Sequence, residues 1–119
     1  MTGEVPMITR FLVSLRDRTE LDALLNSLPP EVEAEVVTAI RIGAVNGRHG
    51  MRWHGATRRA FYFNSDGKTL LCVTLPAITE VQATLCAGEI SKRGCHDSFD
   101  GIVACYQAVT SREPVMIRH

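Results

Sequence analysis

Two runs of strand-forming residues, 58–64 (RRAFYFN) and 69–75 (TLLCVTL), flank the segment Ser65-Asp66-Gly67-Lys68. Asp-Gly between such runs is a strong hairpin signal, because glycine adopts the positive φ that a tight turn demands. A two-residue Asp66-Gly67 turn pairs Ser65 with Lys68. It sets Phe63 opposite Leu70 and Phe61 opposite Cys72 on one face, and Tyr62 opposite Leu71 and Ala60 opposite Val73 on the other. A longer turn that takes in Asn64 would shift the register by one and turn every side chain over. Both faces of this hairpin are apolar. A pair of strands with one wet face alternates apolar and polar residues, so this pair belongs inside a larger sheet. The reading predicts helices on one side and another element or a partner on the other.

The rest of the chain supplies the cover. Residues 7–15 (MITRFLVSL) combine a four-residue apolar spacing with β-branched and aromatic content, and are read as a strand. Thr19 is the expected N-cap of a helix over 19–28, with Leu21, Leu24, Leu25 and Leu28 as its stripe. A second helix over 31–42 starts after Pro30, carries Glu31, Glu33 and Glu35 near its positive end, and turns Val32, Val36, Ala39 and Ile40 inward. Gly43 or Gly47 is expected to close it. The four glycines of 43–57 favour an ordered loop or a short irregular strand. After Pro76 the spacing predicts a helix over 77–91 with an imperfect inward face of Ile78, Val81 and Leu85, joined by Ala77, Ala83 and Ile90, and stopped at Lys92-Arg93-Gly94. Asp97 or Ser98 caps a last helix over 98–110 with the stripe Phe99, Ile102, Val103, Tyr106 and Val109. The tail VMIR is long enough for one added edge strand.

These elements define an α+β fold in a single domain over 1–119: a short antiparallel sheet containing the 58–75 hairpin, packed by about four helices. At this length about two-thirds of the unfolded surface can be buried, so neither metal nor disulfide is needed to hold a core. The start MTGEVPMITR lacks a basic stretch leading into a sustained apolar run, and no apolar run reaches the roughly 18 residues of a membrane span. The expectation is a soluble cytoplasmic protein without membrane contact, its four cysteines reduced and serving as small core residues.

Charge is balanced overall, with 13 basic and 13 acidic residues, which excludes a uniformly basic or acidic chain. Locally it separates. Residues 1–35 carry three arginines against seven acids, whereas residues 36–65 carry five arginines and no acid. Within that basic stretch lies RHGMRWHGATRR, which brings Arg48, Arg52, Arg58 and Arg59 together with His49, Trp53 and His54. Arginine forks match carboxylates and phosphates, and an aromatic ring supplies a desolvated anchor. The expected function is therefore that of a small regulatory or binding protein that occupies an acidic protein surface through Arg48, Arg52, Trp53, Arg58 and Arg59. The same patch, with Tyr62 or Trp53 stacking on a base, suits RNA or single-stranded DNA. Internal pairing of these arginines with the acidic first third is the bland alternative.

Two further constellations compete with that patch. Cys95, His96 and Asp97 would form an enzyme site if the imidazole reached the sulfur. Cys86, Cys95, His96 and Cys105, with His49 or His54, include the right donors for zinc, but spacings of nine and ten residues lack the tight paired knuckle of a structural site. No cofactor or metal is expected. Two apolar sheet faces in so short a chain leave room for a homodimer.

Overall fold

A computed structural model describes residues 7–42 and 48–111. The elements run β1 (Thr9–Ser14), α1 (Arg18–Asn26), α2 (Pro30–Ile42), β2 (Arg48–His54), β3 (Arg59–Ser65), β4 (Thr69–Leu75), α3 (Glu80–Arg93) and α4 (Phe99–Thr110). The fold is α+β. The four strands among the described residues form one antiparallel sheet in the order β1-β4-β3-β2, so the hairpin strands β3 and β4 hold the two inner places. The possible closing glycines Gly43 and Gly47 and the tail VMIR lie outside the described residues.

Two clusters of buried side chains sandwich this sheet. Phe61, Phe63, Leu70 and Cys72 meet Leu21, Leu24 and Leu28 of the α1 region and Val32, Val36 and Ala39 of α2. Ala60, Tyr62, Leu71, Val73 and Leu75 meet Ala83, Cys86 and Ile90 of α3 and Ile102, Cys105 and Val109 of α4. Strand alternation sorts the hairpin into these sets as its sequence requires.

The hairpin's register differs from the expected one by two residues. Ser65 stands opposite Leu70, Phe63 opposite Cys72 and Tyr62 opposite Val73. The cause is the turn, which centres on Gly67-Lys68. The Asp66 N–H donates to the Thr69 carbonyl at 3.2 Å, while its carboxylate accepts from the N–H groups of Lys68 and Thr69 at 2.8 and 2.7 Å. Those bonds hold the Asp66 carboxyl below its ordinary pKa, and Gly67 supplies the positive φ of 90°. An even shift preserves the faces, so each hairpin side chain still points where the pattern put it.

Helix boundaries show two corrections. Asp17, not Thr19, caps α1, its side chain accepting from the Glu20 N–H. In α3 the capping box is Thr79 with Gln82, and Gly94 ends the helix at φ 67°. That phase turns Ala83, Cys86 and Ile90 onto the sheet and leaves Val81 and Leu85 69% and 45% exposed, against their expected burial. Ser98, one of the two expected caps, starts α4 by accepting from the Gly101 N–H.

Candidate functional site

Strand β2 is regular over seven residues, and alternation divides the basic segment between the two sides of the sheet. Directly opposed residues of an antiparallel pair share a face. Arg48, Gly50, Arg52 and His54 oppose Ser65, Phe63, Phe61 and Arg59, on the side of α1 and α2. His49, Met51 and Trp53 oppose Asn64, Tyr62 and Ala60, on the side of α3 and α4. Glycine at position 50 leaves space for the Phe63 ring, since a Cβ there would stand 2.8 Å from its tip.

Part of the basic charge is matched internally. Arg52 pairs with Glu35 of α2 at 2.8 Å, both side chains well exposed, and His54 Nε2 lies 3.5 Å from Glu31. The exposed Arg52–Glu35 pair orients side chains more than it stabilises the fold. Arg48, Arg58 and Arg59 are exposed and form no ion pair among the described residues. Arg58 occupies the left-handed region at φ 55° in the β2–β3 turn, and its carbonyl accepts from the Ile78 N–H at 3.0 Å. The turn holding Arg58, with Arg59 at the start of β3 directly after it, is thus tied to the segment entering α3.

Trp53 is half-buried against the core beneath α3, and its indole N–H donates to the Ile78 carbonyl at 3.0 Å. It is an anchor of this chain's own fold as well as a wall of a surface groove. The groove, of about 480 Å³, runs between β2 and α3 and is lined by Met51, Arg52, Trp53, Glu80, Ala83 and Ala87.

Tyr62 does not belong to that surface. Its ring is 2% exposed, and its hydroxyl donates to the His96 carbonyl at 2.9 Å, so no face is left on which a base could stack. Asn64 Nδ2 donates to the same carbonyl at 3.0 Å. The phenol oxygen also lies 3.2 Å from His96 Nδ1, where the Nδ1–H tautomer can donate back to it. Burial, followed by the neighbouring Cys95 and Asp97, raises the Tyr62 pKa well above that of a free phenol.

His96 stacks on His49 of β2, with ring centroids 3.7 Å apart and planes inclined by 22°. Partial burial, then the facing His96 imidazole and the Arg48 guanidinium, lower the His49 pKa. Sequence reasoning missed this pair because its partners lie 47 residues apart on separate elements. A cleft of about 420 Å³ opens beside it, lined in part by Leu12, Asn64, Asp66, Asp97 and Phe99.

Cys95, His96 and Asp97 are neighbours in sequence, but the Cys95 and His96 side chains face different partners. The Cys95 sulfur faces the Ile90 carbonyl and Cys105, whereas the His96 ring faces Tyr62 and His49. Among the described residues, no three His, Cys, Asp or Glu groups are arranged to hold a metal ion. None of the described helices is long and apolar enough to cross a membrane. At the other edge of the sheet, β1 exposes Phe11 and Leu12, by 44% and 62%.

Comparison of the chain with protein-family models, with curated proteins and with solved structures finds no match.

Proposed function

We propose that the chain is a non-enzymatic binding module that receives an extended acidic segment of a protein partner along β2. The observation that carries this reading is the position of β2. Among the described residues it is an edge strand, and the exposed charged side chains it presents, with the turn that follows and the first residue of β3, are basic: Arg48, Arg52, Arg58 and Arg59. A segment added at a sheet edge gains affinity from backbone hydrogen bonds and register from its side chains. Carboxylates on one face of the incoming strand meet Arg48, Arg52 and Arg59, displacing Glu35 from Arg52. Residues on its other face lie toward the groove walled by Met51, Trp53, Ala83 and Ala87. Nucleic acid is the weaker occupant, because Tyr62 is buried and the Trp53 indole is already committed to Ile78.

The test is capture of partners by the full chain from its source cell, with and without RNase, alongside the charge-reversed double variant Arg48→Glu/Arg59→Glu. The expected result is an RNase-resistant protein partner lost in the double variant, whose isolated acidic segment binds the full chain. Capture abolished by RNase, or unchanged in the variant, overturns the reading. Trp53→Ala is expected to destabilise the fold by about 2–3 kcal/mol, through lost packing and an unpaired Ile78 carbonyl, and denaturant unfolding measures it.

A further inference from the structure

Three of the free cysteines gather where α3 turns into α4. Cys86 and Cys105 are fully buried, while Cys95, the residue after the left-handed Gly94, is partly exposed. The sulfurs of Cys95 and Cys105 stand 3.8 Å apart. Local structure builds this contact. The Cys95 N–H donates to the Ile90 carbonyl at 3.2 Å, and its own carbonyl accepts from the Ser98 N–H at 3.2 Å. Gly101 completes the fit, since a Cβ there would stand 2.7 Å from Cys95 Cβ and 3.1 Å from its sulfur.

We propose that Cys95 and Cys105 form a redox pair, which a hydroperoxide converts to an intramolecular disulfide and a small thiol restores. The exposed partner reacts first: the Cys95 thiolate attacks the peroxide, gains one oxygen as a sulfenic acid, and releases water or the corresponding alcohol. The Cys105 sulfur then attacks Cys95 Sγ. The S–O bond breaks as the S–S bond forms, and the sulfenic oxygen leaves as water with the Cys105 proton. A disulfide holds its sulfurs about 2.0 Å apart, so the two must close by about 1.8 Å. Burial raises the Cys105 thiol pKa, followed by its contact with Cys95, which suits a thiol that waits for its partner to be oxidised. Reduction returns two thiols and oxidises two equivalents of the small thiol to its disulfide. The bond would staple the segment before α4 to the body of that helix, next to the His96 carbonyl that Tyr62 and Asn64 hold.

Hydrogen peroxide is added to the native full chain, remaining thiols are blocked, and the product is mapped by mass before and after reduction. The expected product has lost two hydrogens, yields one cross-linked peptide pair containing Cys95 and Cys105, and reverts with dithiothreitol. In Cys105→Ser the cross-link is lost and oxygen accumulates on Cys95. Because the wild-type map decides the matter alone, the inference survives a variant that fails to fold. Oxygen on wild-type Cys95 without a cross-link, a bond to Cys86, or a disulfide between two copies overturns it.

Discussion

The two sides of the sheet are built from the same four strands and do different chemistry. Toward α1 and α2 the core is leucine, valine, phenylalanine and alanine with one cysteine, and the buried hydroxyl of Ser65 sits at the turn end of the same side. Toward α3 and α4 the core holds Tyr62, Cys86 and Cys105, and its border holds Asn64, His96 and Cys95. A mainly apolar face depends chiefly on volume and shape. A face with polar members must also satisfy every donor and acceptor, and here that requirement fixes one place: three groups converge on the backbone and ring of His96. The α1/α2 side keeps its charged pairs at the surface and one cysteine in its core, whereas on the α3/α4 side a phenol, an imidazole and three cysteines reach into or border the core.

Truncation breaks this contrast most severely. Phe63→Ala empties the space between β3 and the α1/α2 layer and uncovers Gly50, with an expected loss of about 3–5 kcal/mol in denaturant unfolding. Removing one oxygen on the other side costs less. Tyr62→Phe keeps the ring and leaves Asn64 on the His96 carbonyl, so the expected loss is about 1 kcal/mol. A loss as large as that of Phe63→Ala would show that the polar border, not the apolar core toward α1 and α2, dominates stability. The smallest effect is electrostatic. The folded His49 pKa lies below its ordinary value of 6.5, so the folded state binds this proton less readily than the unfolded chain. This contribution is full above pH 6.5 and is lost as pH falls through the lowered folded pKa. His49→Gln should flatten that part of a stability–pH curve, and an unchanged slope would remove His49 as its source.

Much of the architecture is legible in local sequence, because it follows from alternation and helical spacing. The hairpin's faces were readable from 60–63 and 70–73 alone, and survive a change of turn because that change is even. The leucine stripe of α1 and the valines of α2 were equally clear. Thr19 was a plausible cap, but Asp17 lies two residues earlier with a carboxylate already aimed at the Glu20 N–H. In the glycine-rich 43–57, propensity argues against a regular strand over 48–54, and the cross-strand Phe63 ring is what gives Gly50 its place.

The candidate site was less legible. Clustering in sequence suggested one arginine and aromatic patch, whereas strand alternation sends Arg52 and Trp53 to opposite sides and burial removes Tyr62. Internal pairing was foreseeable from the acidic residues of 31–35, and Glu35 and Glu31 take up Arg52 and His54. The meetings of His49 with His96 and of Tyr62 with the His96 carbonyl depend on how α4 is brought back over the sheet. No short window of sequence contains that information.

The Asp66 turn also bears on how the chain reaches its fold. A hairpin closed two residues out of register would bury the same side chains on the same faces, so hydrophobic collapse alone separates the two poorly. Such a hairpin is a compact competitor during folding, and escape from it requires the strands to part and pair again. What separates the two is local: the Asp66 carboxylate closes over the N–H groups of Lys68 and Thr69 in the observed turn, so the choice of register rests on one side chain rather than on the core.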